Sequence, residues 1–223
     1  MSECADTRML LRLMAWLSPA FPVGGFAYSG GLETAVHDGL VTSHQQLEEW
    51  LLVLLRHGSL WNDAVLLAEA FRSVEDGKRL AAGAELAAAL AGSAERHLEI
   101  VRQGGAFVAA AGSWPCPVLS LLDDTTPYSV AVGAVAASNG MQLVATLAAF
   151  LHSLTSQLVS AAIRLGVTGQ RQGVALLSRL EDVLAEQAER AARSSLDDLG
   201  GAALIADQMS LRHEIQHSRL FLS

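Results

Sequence analysis

Apolar residues recur at helical spacing along most of this chain, and that periodicity most constrains its fold. Between Leu47 and Leu55 they follow each other every three or four positions, which places them on one face of a helix. Just before this stripe, Ser43 and Gln46 stand at the spacing of a capping box, a signal for a helix start. No segment shows a convincing strand pattern. The sequence therefore predicts an all-α protein.

Composition supports the same fold class. Hydrophobic residues make up 51% of the 223, mostly as Ala and Leu, whose side chains lose little rotamer freedom on a helix. Charged residues make up only 17%, unlike the highly charged composition of disordered chains. We expect one domain over residues 1–223, a helical bundle of roughly eight to ten helices.

Further helices are predicted over residues 63–77, 78–91 and 94–111, the last one capped by Ser93. Asp124 to Pro127 form another start signal, and we expect a long central helix to follow it. The run 125–163 carries no charge and is long enough to cross a bilayer twice. Its Ser, Thr, Asn, Gln and His residues lower its hydropathy, so we expect buried core and no membrane contact. Another amphipathic helix is expected over residues 176–193.

Charge and cysteine content exclude several classes of function. The net charge is -8 and no basic cluster exists, so the chain lacks the patch that nucleic-acid binding needs. The only cysteines, Cys4 and Cys116, form neither a disulfide framework nor a CxxC metal motif. The amino terminus does not resemble a secretory signal. We therefore expect a cytoplasmic protein.

Residues 17–33 interleave prolines and four glycines with aromatic residues, unlike a polar linker. Because Phe21, Phe26 and Tyr28 need burial, we expect an ordered, packed loop. It is either a structural turn between two helices or a functional surface. A phosphate-binding loop is excluded, because no Lys followed by Ser or Thr completes a P-loop and no strand precedes the glycines.

A second unusual feature is an HExxH match over residues 213–217, a spacing that can present two imidazoles to Zn²⁺ with Glu214 as a base. Only six residues follow His217, and they supply no third ligand. Three readings remain open: a zinc metalloprotease, a weak Ni²⁺ or Zn²⁺ site at His213 and His217, or a polar helix face that makes hydrogen bonds at an interface. We predict no cofactor.

No catalytic constellation emerges elsewhere. No nucleophile elbow surrounds Ser29, Ser120 or Cys116, so we assign no catalytic residue. The other histidines are scattered singly, which is typical of surface or core residues rather than of ligands. They are His37, His44, His57, His97 and His152.

Taken together, the two unusual segments resemble the urease accessory protein F family. The loop 17–33 is similar to its amino-terminal signature. The matching positions are Ser18, Pro19, Pro22, Val23, Gly24, Phe26, Tyr28, Ser29, Gly31, Leu32 and Glu33. Residues 209–214 and 218–223 look like the family's closing motif, and residues 161–166 and 169–170 resemble internal elements. The resemblance covers the whole chain.

This resemblance implies an all-α homodimer without catalytic activity. It implies a scaffold that binds the accessory protein D (or H) and recruits the GTPase G, so that nickel reaches apo-urease. The loop is expected near the G-facing surface, and the last ~15 residues are expected to order as a docking tail when D binds. The implied partner-binding residues are Pro22, Gly24, Phe26, Tyr28, Ser29, Glu33, Gly169, Gln170, His213, Glu214, Arg219, Leu220 and Phe221. The competing function is an HExxH zinc metalloprotease.

Overall fold

A computed structural model describes residues 3–223, with side chains from Asp6 onward. All regular secondary structure in that range is helical, which confirms the all-α prediction. The α-helices are α1 Glu3–Trp16, α2 Leu32–His37, α3 His44–His57, α4 Ser59–Arg72, α5 Gly77–Ala89, α6 Ala94–Ala111, α7 Tyr128–Ser138, α8 Leu143–Arg164, α9 Gln170–Arg179, α10 Glu181–Ala192 and α11 Leu204–His213. Short 3₁₀ helices span Gly25–Ala27, Pro117–Leu121 and Leu196–Asp198.

Several predicted helix starts are confirmed in atomic detail. The Ser43 hydroxyl accepts a hydrogen bond from the Gln46 amide at 3.3 Å and caps α3. Ser93 caps α6 in the same way, and Pro127 directly precedes α7. Only Gly58 separates α3 from α4, so the two form one bent, 29-residue helical stretch. Counted in this way, the described residues contain ten helices, within the predicted range.

Two long helices predicted from periodicity are divided in the structure. The uncharged run breaks at residues 139–142, where Gly140 has a φ of +71°, and becomes α7 and α8. The predicted helix over residues 176–193 likewise becomes α9 and α10, with a change of direction at Leu180. Apolar periodicity continues through both turns, because a turn of a few residues hardly disturbs the spacing.

The core is built around α7 and α4. Nearly every residue of α7 is buried, and α4 packs along it. Gly133 of α7 lies against the backbone carbonyl of Leu67 in α4, where no side chain would fit. One contiguous set of buried apolar residues extends from these helices into α3, α8 and α10. The centre of the bundle is therefore a contact in which small residues let two helices pack closely together.

Two helical stretches are apolar and long enough to cross a membrane, His44–Arg72 and Leu143–Arg164. Within the protein, 67% and 50% of their most apolar windows are buried. Both stretches contribute to the central core through residues such as Leu51, Leu67 and Leu151. This burial is typical of the core helices of a soluble protein.

The packing of α7 on α4 makes a testable prediction. Gly133→Ala is expected to destabilise the fold by about 1–3 kcal/mol, because the added methyl group overlaps the Leu67 carbonyl. Gly83→Ala in α5 is the matched control: a Cβ there meets nothing within 4 Å. Since alanine favours a helix over glycine, this control should gain about 0.5–1 kcal/mol. Urea unfolding followed by circular dichroism measures both; equal stability of the two variants would contradict the packing.

Candidate functional site

The two unusual segments of the sequence lie against each other. The chain that follows α11, residues 214–223, is called the tail here. Since α2 begins at Leu32, the name loop is kept from here on for residues 17–31. The Leu222 amide donates a hydrogen bond to the Ala27 carbonyl at 2.8 Å, and the Ser29 amide donates to the Ser223 carbonyl at 2.9 Å. The Ser29 hydroxyl donates to the same Ser223 oxygen. Backbone hydrogen bonds thus join the two ends of the sequence into one surface.

The loop is ordered and packed, as predicted. Phe21 is buried, with ring centroids 5.5 Å from Phe107 and 6.2 Å from Trp114. Tyr28 is also buried, but the prediction that all three aromatic residues are buried is wrong for Phe26. Phe26 lies on the short 3₁₀ helix Gly25–Ala27 with 69% of its surface exposed.

Glycine is required where the loop meets α11. Gly31 has a φ of +81°, in the left-handed region that favours glycine. A Cβ at this position would lie 2.6 Å from the backbone nitrogen of Ser210, in the middle of α11. The close contact brings α2, which begins at the next residue, directly against α11.

The buried carboxylate of Glu33, in the first turn of α2, binds the tail backbone. It accepts hydrogen bonds from the amides of Leu220 at 2.6 Å and Phe221 at 2.9 Å. The Nε2 atom of His213 lies 3.1 Å from the same carboxylate. One acidic side chain therefore satisfies two tail amides and one imidazole nitrogen.

His213, the last residue of α11, is fully buried between two carboxylates. Its Nδ1 atom lies 2.6 Å from Glu95 on α6, opposite the contact with Glu33. Each ring nitrogen of His213 thus faces a carboxylate oxygen within hydrogen-bonding distance. The second oxygen of Glu95 accepts a hydrogen bond from Arg219 at 2.5 Å. We call Glu33, His213, Glu95 and Arg219 the tail clamp.

This arrangement contradicts the metal interpretation of HExxH. The helix ends at His213, so His217 lies in the tail and does not share a helical face with it. Both nitrogens of His213 are already engaged by carboxylates. Glu214 accepts a hydrogen bond from the Ala94 amide at 2.7 Å, at the start of α6. Among the side chains described from Asp6 onward, no group of three or more His, Cys, Asp and Glu residues could hold a metal ion. The HExxH residues therefore do not form the two-histidine zinc site that the metalloprotease alternative requires.

A second ionic group on α6 supports the end of the tail. Arg96 lies between Asp63 and Glu99, with 2.8 Å between its Nη1 and a Glu99 oxygen. The Ser223 hydroxyl donates to Glu99 at 3.1 Å. Burial raises the pKa of Asp63 despite the nearby Arg96. Burial alone would lower the pKa of Arg96, but Asp63 and Glu99 outweigh it and raise that pKa above its ordinary value. The group is thus held as a buried ion-paired unit.

A cavity of about 290 Å³ lies beside this ionic group, between the α3–α4 junction, α6, α8 and α11. Tyr28, Asp63, Arg96 and Ser210 are among its lining residues. The side chain of Tyr28 therefore faces the interior of the protein, although the resemblance placed it near a partner surface.

The predicted partner-binding residues fall into two groups. The exposed ones are Pro22, Phe26, Gly169, Gln170, Glu214, Arg219 and Leu220; the buried ones are Tyr28, Ser29, Glu33, His213 and Phe221; Gly24 is intermediate. Phe221 packs beneath the Arg164 guanidinium, 4.3 Å from its ring centroid. Gly169 is the N-cap of α9, and Gln170 is the first residue of that helix. Buried members can only shape the surface, whereas exposed members can touch a partner.

Sequence reasoning missed the contribution of α6. In the sequence, the charges of α6 look like an ordinary solvent-exposed helix face, because charges at this spacing usually face water. These residues are Glu95, Arg96 and Glu99. The available signal was the continuation of that polar face to Gln103, which is buried and donates to Glu99 at 3.2 Å. A polar stripe of that length on a helix amid an apolar chain indicates a buried network.

Comparison with known proteins identifies the chain. The model of the UreF family matches residues 41–181, more than half of the sequence. The urease accessory protein UreF of Agrobacterium fabrum is 60% identical over 223 residues, with all of both chains covered. The chain belongs to the UreF family. The UreF of Rhizobium meliloti is 58% identical with 99% of each chain covered, and UreF 1 of Brucella canis is 58% identical with 97% of this chain and 95% of its own covered.

As a UreF family member, the chain is a non-catalytic accessory protein of urease maturation. This agrees with a site made of hydrogen bonds and ion pairs between two chain segments. The family model spans α3 to the start of α10, so the loop and the tail lie outside the matched range. The full-length relatives extend across both segments.

Substitution of Glu33 tests the tail clamp. Glu33→Gln is expected to destabilise the protein by about 3 kcal/mol, because the amide leaves several buried hydrogen-bonding groups without their carboxylate. Glu48→Gln is the matched control, since Glu48 pairs with Arg179 on the surface, where ion pairs contribute little. Urea unfolding gives the stabilities, and hydrogen exchange should show faster exchange of the Leu220 and Phe221 amides only in Glu33→Gln. Unchanged protection of these amides would contradict the assignment.

The close approach of Gly31 to α11 is tested separately. Gly31→Ala combines a strained φ with a clash against Ser210, whereas Gly39→Ala has a φ of +77° but meets nothing within 4 Å. The control should lose about 1–2 kcal/mol from strain alone, and Gly31→Ala should lose distinctly more. Thermal unfolding of both variants measures the difference. Similar losses would show that α11 moves away without cost.

Proposed function

We propose that this UreF protein is a scaffold of urease maturation. It binds the accessory protein D (or H), recruits the GTPase G, and so directs nickel to apo-urease. The observation that carries the proposal is the surface where the loop and the tail meet. It presents Phe26, Leu220 and Leu222 with 69%, 61% and 53% of their surfaces exposed. Large apolar side chains held outward by ordered backbone are typical of protein interfaces.

The support beneath this surface is polar and rigid. Glu33 binds the amides of Leu220 and Phe221, and the Ala27 carbonyl binds the amide of Leu222. Because the backbone on either side of the exposed leucines is fixed, little conformational entropy is lost when a partner binds. The charged side chains of Arg219 and Glu214 stand beside them and supply a polar rim.

In this proposal the tail docks through the side chains that it presents outward. Phe221 anchors it from inside, packed beneath Arg164, while Leu220 and Leu222 on either side contact the partner. The disorder-to-order transition implied by the resemblance is then replaced by docking of a preformed surface. The buried Tyr28 and Ser29 hold the loop in the matching shape.

The remaining parts of the proposal concern assembly and location. We propose a single domain over residues 1–223, which the contiguous apolar core supports. We propose a homodimer, and the exposed residues Leu10, Leu11 and Met14 of α1 supply a second apolar surface for it. We place the protein in the cytoplasm without membrane or nucleic-acid partners, which fits its net charge of -8 and its paucity of cysteine.

Co-purification tests the scaffold. Phe26→Asp and Leu220→Asp should each weaken the binding of the tagged chain to the co-expressed D and G proteins roughly tenfold or more, because a charge enters an apolar contact. Leu121→Asp is the matched control, since Leu121 is equally apolar and exposed on the 3₁₀ helix Pro117–Leu121. All three variants should keep the wild-type circular dichroism. If Phe26→Asp and Leu220→Asp both bind the D and G proteins as well as Leu121→Asp does, this surface is not the docking site.

A further inference from the structure

We infer that Glu95, in the first turn of α6, is a positioning residue that holds the guanidinium of Arg219 ready to bind a carboxylate of a partner protein. This inference rests on the proposed function, because it assigns one polar contact of the docking surface. Glu95 itself lies mostly buried and does not belong to the residues expected to touch a partner.

The carboxylate of Glu95 is fully committed within the protein. One oxygen lies 2.5 Å from Nη1 of Arg219, and the other lies 2.6 Å from Nδ1 of His213. Its position is fixed, because α6 is capped by Ser93 and tied to α4 by the ion pair between Arg96 and Asp63.

Arg219 is the most exposed member of the tail clamp. Its side chain is 39% exposed, and Glu95 accepts its only ion-paired hydrogen bond within the described part of the chain. A guanidinium has five N–H donors in a planar fork, so an unused edge remains for a second acceptor. That edge can bind a carboxylate through two parallel hydrogen bonds.

The fork of Arg219 favours a carboxylate as the partner group, and the acids around it disfavour a more highly charged anion. Glu33, Glu95 and Glu214 lie around the site, and Arg219 is its exposed cation. A phosphate carries more negative charge than a carboxylate, so these acids repel it more strongly. An Asp or Glu side chain of the partner adds a single charge and matches the fork of Arg219.

Positioning affects affinity because a free arginine side chain must be ordered when it binds. The cost of ordering one such side chain corresponds to about a 2- to 10-fold loss of affinity. With Glu95 in place, Arg219 is already held in one direction before the partner arrives. Loss of Glu95 should therefore weaken binding by a factor of this size, and only while Arg219 is present.

The test is a double-mutant cycle on the full chain, with the D and G accessory proteins as the binding probe. Arg219→Gln should weaken binding roughly tenfold or more, and Glu95→Gln about fivefold. The double variant should bind no more weakly than Arg219→Gln alone, because Glu95 acts through Arg219. Nuclear magnetic resonance relaxation of the Arg219 Nε–Hε group should show greater mobility in Glu95→Gln.

A control separates positioning from general stability. Glu69→Gln removes another buried carboxylate, which binds Arg79 away from the tail. It should lower the unfolding temperature but leave partner affinity and Arg219 mobility unchanged. Glu95→Gln with wild-type affinity, or fully additive effects in the double variant, would overturn the inference.

The same experiment separates this inference from the proposed function. If Arg219→Gln binds normally while Phe26→Asp does not, the docking surface stands and the role of Glu95 is refuted. If neither substitution changes binding of the D and G proteins, the proposed docking surface itself fails.

Discussion

The binding of the tail backbone by the buried carboxylate of Glu33 is the interaction on which the rest of the site depends. Two tail amides and the buried ring of His213 all need acceptors, and an unpaired buried donor or charge is costly. Glu33 contacts only the Nε2 atom of that ring, and Glu95 on α6 contacts the Nδ1 atom on the other side. Helices α2, α6 and α11 and the tail are therefore joined through one set of hydrogen bonds and ion pairs.

This arrangement gives the protein a rigid platform rather than a reactive centre. Its ionisable groups are paired with each other, and the apolar side chains beside them point outward. Buried polar networks fix a unique geometry at some cost in stability, which suits the docking surface that we propose. The HExxH pattern is explained in the same terms: His213 is held between carboxylates, while Glu214 meets the start of α6.

Local features of the sequence predicted most of the fold. Capping by Ser43 and Ser93 and the apolar stripe of α3 are set by neighbours within a few residues, so the sequence displays them directly. The break between α7 and α8 was missed because apolar spacing continues through the turn at Gly140. The exposure of Phe26 was missed because composition indicates an ordered loop but does not tell which aromatic residue points outward.

The sequence by itself determined the helical class, the main helix starts, and the two unusual segments whose resemblance indicated the family. Helical periodicity and capping depend on residues close in the chain, and family signatures are read directly from residue order. Only the tertiary structure decided that the loop and the tail meet, that His213 is a buried partner of two carboxylates, and that α6 supplies Glu95. Those contacts join residues more than 100 positions apart, and the same charges in an isolated helix would simply face water.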